Sequence, residues 1–264
     1  MTAMLWSLRY EALMAARRRA VQGTLLPLLL LTLLLTATSP IVTGQSDPAA
    51  EVGAAAVLVN TLCALGTGLA LTDRLRRAHD VRDTTELLAA TPAPAAARSA
   101  GQFLGPLLTA LGPVVLLFLL GAAVLAAATA SGTVLLAATA ALVTAIVPAA
   151  LLAAALGGLL GALLPPAAAR VALTLVWIWA CQFPPAFSPV PTPTGTLLSP
   201  IGGHALVAWA HAPRIWATRD GTGALRPDAT DATALLNLVL VLATAALCYA
   251  LGHLVARTRR HGAS

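Results

Sequence analysis

The chain contains no lysine: all 16 of its basic residues are arginine. That absence removes the lysine of a Walker A phosphate loop and any Schiff-base chemistry. The chain therefore cannot hydrolyse ATP by that route on its own. Charge is scarce as well, at 10% of residues against about 25% in a soluble domain. No H-E-x-x-H or paired-cysteine motif occurs, and no Glu-Glu pair or Asp cluster lies in an apolar run. Zinc hydrolysis, metal-assisted phosphotransfer and intramembrane proteolysis lack their ligands. Cys63, Cys181 and Cys248 fall in three different apolar runs, so no disulfide framework is implied. They read as small core hydrophobes.

What is present is apolar. Hydrophobic residues make up 58% of the 264, with a mean hydropathy of +0.84. A run of about 20 apolar residues crosses the bilayer core as a helix. Six such runs predict an all-α polytopic membrane protein, with no room for a folded soluble domain. The spans fall at 24–43, 52–72, 102–129, 133–164, 168–187 and 234–256. The third is interrupted by Pro106 and Pro113, and Ser131-Gly132 makes a tight turn into the fourth. The fourth is too long for one straight crossing, with Pro148 as its kink and Pro165-Pro166 as its end.

Residues 3–22 mix apolar and charged positions. Trp6 and Tyr10 share a helical side, among Arg9, Glu11 and Arg17-Arg18-Arg19. This predicts an amphipathic helix lying on the membrane surface. A signal peptide with Leu25–Leu35 as its apolar core is the rival, and no convincing cleavage site follows it.

The arginines fix the topology. With the N-terminus inside, Arg214, Arg219 and Arg226 face outward and the other thirteen face inward. The positive-inside rule favours that orientation, with both termini cytoplasmic. The net charge of +6 then suits cytoplasmic loops facing anionic lipid rather than nucleic acid. High Ala, Leu and Pro with no Lys points to a high-GC bacterial genome. The outer loop, 188–233, opens Pro-rich and turns apolar and aromatic at His204–Trp216. It predicts one or two short interfacial or re-entrant helices, the alternative being an exposed loop.

The cytoplasmic loop at 73–100 carries the densest pattern. Asp83 and Glu86 stand three apart, so Asp83 can cap a helix while Glu86 reaches back. Leu87 and Leu88 follow, and Pro92 stops the helix after Thr91. The product is a short charged helix with a small apolar patch, suited to docking on a cytoplasmic partner. A solvated connector is the plainer reading.

In this order and spacing the chain resembles the ABC-2 type permeases, the membrane subunits of one class of ATP-binding cassette exporters. The resemblance covers most of the chain. It rests on the amphipathic N-terminal helix, the six spans and Asp73 closing the second. It rests also on the segment Thr84-Thr85-Glu86-Leu87-Leu88-Ala89-Ala90-Thr91-Pro92, and on Leu198-Ser199-Pro200 before a short helix. The resemblance implies an elbow helix at 3–22, with Trp6, Arg9, Glu11 and Arg18, and a coupling helix within Arg82–Thr91. Arg82, Asp83, Thr84, Glu86, Leu87, Leu88, Thr91 and Pro92 would then meet a cleft on a separate ATPase subunit. Many members start this helix with Gly-Thr; here the pair is Asp83-Thr84. The resemblance also implies two ATPases, a second permease copy or a similar permease, and a bacterial cytoplasmic membrane. No cofactor is bound by this chain; ATP and magnesium belong to the partner.

No Asp, Glu or Arg lies in the middle of any span, so a proton-driven carrier has little to work with. A path lined by spans one, two and five would be apolar, with Leu31, Leu35, Asn60, Leu65, Trp177 and Trp179 as candidate contacts. Such walls suit a hydrophobic or amphipathic cargo such as a drug, a lipid-like molecule or a peptide natural product. Core or belt roles for the two tryptophans are the plainer reading. A stripe at spacing four in the fourth span, Ala141, Ala145, Ala149, Ala153, Gly157 and Gly161, lets helices approach closely. It serves either a dimer interface or packing within one protomer. Two further readings stand beside transport. One is a non-transporting binding, immunity or scaffold protein. The other is a membrane enzyme or autonomous carrier using His204 and His211, seven apart on one predicted helical face.

Overall fold

The computed structural model describes residues 2–17, 19–74, 95–183, 191–215, 218 and 225–261. Among these the chain is helical, with no strand. The helices are α1 (Thr2–Ala16), α2 (Arg19–Thr38), α3 (Pro40–Thr43), α4 (Pro48–Leu71), α5 (Ala95–Thr129), α6 (Thr133–Leu163), α7 (Pro166–Gln182), α8 (Gly203–Trp209) and α9 (Asp231–His261). Four of them, α4, α5, α6 and α9, are long and apolar enough to cross a membrane. This is the architecture of an α-helical membrane protein. The first and fifth expected spans are shorter. The apolar part of α2 is Gln22–Thr38, and α7 has 17 residues, roughly 25 Å of helix.

Several boundaries differ from the sequence reading. The N-terminal helix stops at Ala16 rather than residue 22, and a new helix starts at Arg19. The second span begins at Pro48, inside what reads as an acidic loop. Asp47 caps it by accepting the Ala49 N–H at 3.0 Å, Pro48 takes the first turn, and Glu51 faces the positive end of the helix. Pro106 and Pro113 do not interrupt α5, which runs through both. Membrane helices tolerate proline because neighbouring groups re-satisfy the freed carbonyls.

The turn between α5 and α6 falls at 130–132 as expected. Its left-handed residue is Ala130, at φ 50°, and the Ser131 hydroxyl lies 2.7 Å from that of Thr133. Within α6 the residues Leu142–Ile146 form a π-helical turn directly before Pro148. Proline has no N–H and its ring crowds the carbonyl four residues back, so the ladder widens there.

Helix α4 is the hub, packing on α2, α5, α6, α7 and α8. Its tightest contact is with the small-residue stripe of α6, all six members of which are buried. A Cβ on Gly157 would meet the Gly68 carbonyl oxygen at 2.7 Å, and one on Gly68 would meet that of Ala153 at the same distance. The stripe therefore serves packing inside the protomer. Helix α9 closes the other side of α6, and α1 lies along the start of α5.

Two ends can be told apart. At one, α1, the end of α4, the start of α5, the start of α7 and the end of α9 come together. Tyr249 of α9 donates to the Ser99 carbonyl of α5 there, at 3.3 Å. This is the charged end. At the other lie α3, the α5–α6 turn, the segment 191–215 and α8.

Candidate functional site

The charged end is built around two consecutive residues. Asp73 and Arg74 follow α4, and each ties it to a different helix. Arg74 donates to Glu11 of α1 at 2.5 Å, with both side chains mostly buried. Arg170, in the first turns of α7, donates to Asp73 at 2.7 Å, with the Asp73 side chain mostly buried and Arg170 about half exposed. The first pair is the stronger, because solvent screens the second more. Small residues let α1 lie close on α5: a Cβ on Gly101 would strike Ser7, and one on Gly105 would strike Glu11 and the Leu8 carbonyl. Thr109 adds a hydrogen bond to the Ala12 carbonyl at 3.1 Å.

A charge reversal tests the first pair. Glu11→Arg and Arg74→Glu should each cost about 2 kcal/mol, the range for a hydrogen bond to a charged group. The double swap should recover most of that loss in a detergent melting curve. Additive losses would mean that the two residues do not act as a pair.

Of the elbow residues, Trp6 and Arg9 are exposed and Glu11 is turned inward to Arg74. Arg18 lies outside the described residues, as do Arg82, Asp83, Thr84, Glu86, Leu87, Leu88, Thr91 and Pro92 of the expected coupling loop. The chain enters that loop from Arg74 and leaves it into Ala95 of α5, and both helices it joins are held against α1.

The opposite end holds a segment tucked into the helical bundle. Residues 191–215 fold back into the bundle and carry α8, and Thr194, Ser199, Ile201, His204 and Leu206 are buried. Buried non-helical backbone needs partners for its polar groups. Asn60 is one, donating to the Ile201 carbonyl at 2.7 Å. It stands roughly 18 Å along α4, the middle of the helix. Asn237 of α9 donates to the Leu197 carbonyl at 2.8 Å and that of Ser199 at 3.2 Å. Thr194 donates to the Ala180 carbonyl of α7 at 3.0 Å. Gly202, at φ 74°, sets its backbone against Ala145 in the π turn of α6.

The candidate path residues separate accordingly. Asn60, Leu65 and Trp177 are enclosed by protein. Trp177 donates its indole N–H to the Thr61 carbonyl at 3.0 Å, and Gln182 donates to the Thr61 hydroxyl. Trp179 and Leu35 are half-buried, and Leu31 is exposed. The expected histidine face does not form. Helix α8 ends at Trp209, so His211 leaves it at φ 56° and is exposed, whereas His204 is buried with Nε2 3.3 Å from the Pro227 carbonyl. Among the described residues no group of three His, Cys, Asp or Glu side chains could hold a metal ion.

Asp73 and Glu11 stand out in the sequence, but their pairing with Arg170 and Arg74 does not. The only signal was an arginine beside each apolar run. No protein-family model matches the chain, and no curated protein matches it.

Proposed function

We propose that this chain is the permease half of an ATP-driven exporter of the ABC-2 type, working in a bacterial cytoplasmic membrane with both termini inside. The observation that carries this reading is the charged end. The loop holding the predicted coupling helix, 73–100, opens with Asp73 and Arg74, which are ion-paired to α7 and α1. A force on the loop would reach three helices through two adjacent residues. The plainer connector would need no such anchorage.

In this reading two separate ATPase subunits bind ATP and magnesium, and their closure moves the loops of two permeases. The second permease is another copy or a similar chain. Helices α2 and α7 complete six crossings. Their outward faces are apolar, with Leu31, Val171, Leu175 and Ile178 exposed. Together with spans free of central charge, such faces suit a hydrophobic or amphipathic cargo and suit sugars or ions poorly.

The test is affinity purification through a tag on this chain in mild detergent, followed by mass spectrometry. An ATPase subunit should be retained stoichiometrically and fall at least tenfold on Glu86→Arg, which sets a like charge where the partner meets an acid. Retention of no ATPase, under conditions that keep a control ABC complex intact, would favour the scaffold reading.

A further inference from the structure

Helix α1 has two unlike faces. Ser7, Leu8, Glu11, Ala12 and Ala15 turn toward the protein, where Glu11 pairs with Arg74. The outward face carries Trp6, Tyr10 and Leu13, at 67%, 64% and 52% exposed. These positions are four and three apart, so they form one continuous stripe. Two cations flank it: Arg9, whose guanidinium carbon lies 5.8 Å from the Trp6 ring centre, and Arg17, exposed beyond the helix end. Glu11 is the one acid in Thr2–Ala16, and it faces inward. Among the described residues of α1, the outward face is therefore cationic, with no acid beside its arginines.

We infer that this face binds anionic phospholipid headgroups of the adjoining leaflet. A soluble anion would need the arginines but not an exposed Trp-Tyr-Leu stripe. A neutral lipid surface would need the stripe but not the arginines. An anionic leaflet uses both, with ring edges and Leu13 among the upper acyl chains and the guanidinium groups on phosphate. Helix α2 starts at Arg19, so the face sits directly beside an apolar helix. The inference rests on the membrane architecture alone and stands whether or not the chain is a transporter.

The experiment is native mass spectrometry of the full chain in uncharged detergent, supplied with equal phosphatidylglycerol and phosphatidylcholine. Each arginine near an anionic surface is worth roughly a fivefold preference. The wild-type chain should retain phosphatidylglycerol at least tenfold over phosphatidylcholine. The preference should shrink at high salt, since exposed charges are screened. Arg9→Gln with Arg17→Gln should lower it about tenfold, and Arg214→Gln at the opposite end should leave it unchanged. All three are exposed positions, so folding is preserved. Equal retention of the two lipids by the wild-type chain overturns the inference. So does a full preference surviving in the double variant.

Discussion

Gly161→Ala is expected to abolish the folded chain. A Cβ there would collide with the Thr72 carbonyl oxygen and lie 2.8 Å from its carbon. The obstacle is backbone, so no side chain can swing away. Helices α4 and α6 would have to separate along their closest contact, at the level of the Asp73 and Arg74 ion pairs. Overpacking costs about 1–3 kcal/mol where side chains can yield, and this site exceeds that range. The control is Gly121→Ala in α5, where nothing lies within 4 Å. It should gain up to about 1 kcal/mol from helix propensity. Monodisperse protein after a heating series separates the two. A well-behaved Gly161→Ala chain would mean that α4 and α6 are further apart than described.

Asn60→Leu should release the buried segment 191–215. The exchange keeps the side chain's bulk but leaves the Ile201 carbonyl unmatched inside the protein. An unsatisfied buried group costs about 2 kcal/mol, which raises the open population about thirtyfold. The readout is maleimide labelling of Ser199→Cys in a chain whose three native cysteines are alanine. Ser199 is fully buried, so labelling is slow until the segment opens. It should quicken at least tenfold with Asn60→Leu. Unchanged labelling would mean that Asn237 and the packing of α8 hold the segment without Asn60.

These two sites also show what a sequence reveals and what it hides. Length and apolarity mark each long helix, because a bilayer imposes one scale on all of them. The α6 stripe was visible at spacing four, and its partner was not. Gly68 and Thr72 lie on the facing side of α4, but nothing in a helical period says which helix faces which. Asn60 stood out as a polar residue inside a span. Its partner is a backbone carbonyl 141 residues away, and carbonyls leave no mark in a sequence. The pairing of Asp73 with Arg170 was hidden for the same reason, with each charge visible and the pairing fixed only by the fold. Asp47-Pro48 carries the marks of a helix start, a capping carboxylate and a first-turn proline, inside a stretch whose acids read as a loop. The histidine pair failed because periodicity was extended past the true end of α8 at Trp209.

The central claim is that this chain works only through a partner that hydrolyses ATP. The most direct measurement is vanadate-sensitive ATP hydrolysis by material purified through a tag on this chain and reconstituted in lipid. Hydrolysis that co-elutes with the chain, and is lost with Glu86→Arg, is the predicted result. Intact, folded chain that brings no ATP hydrolysis with it would contradict the account.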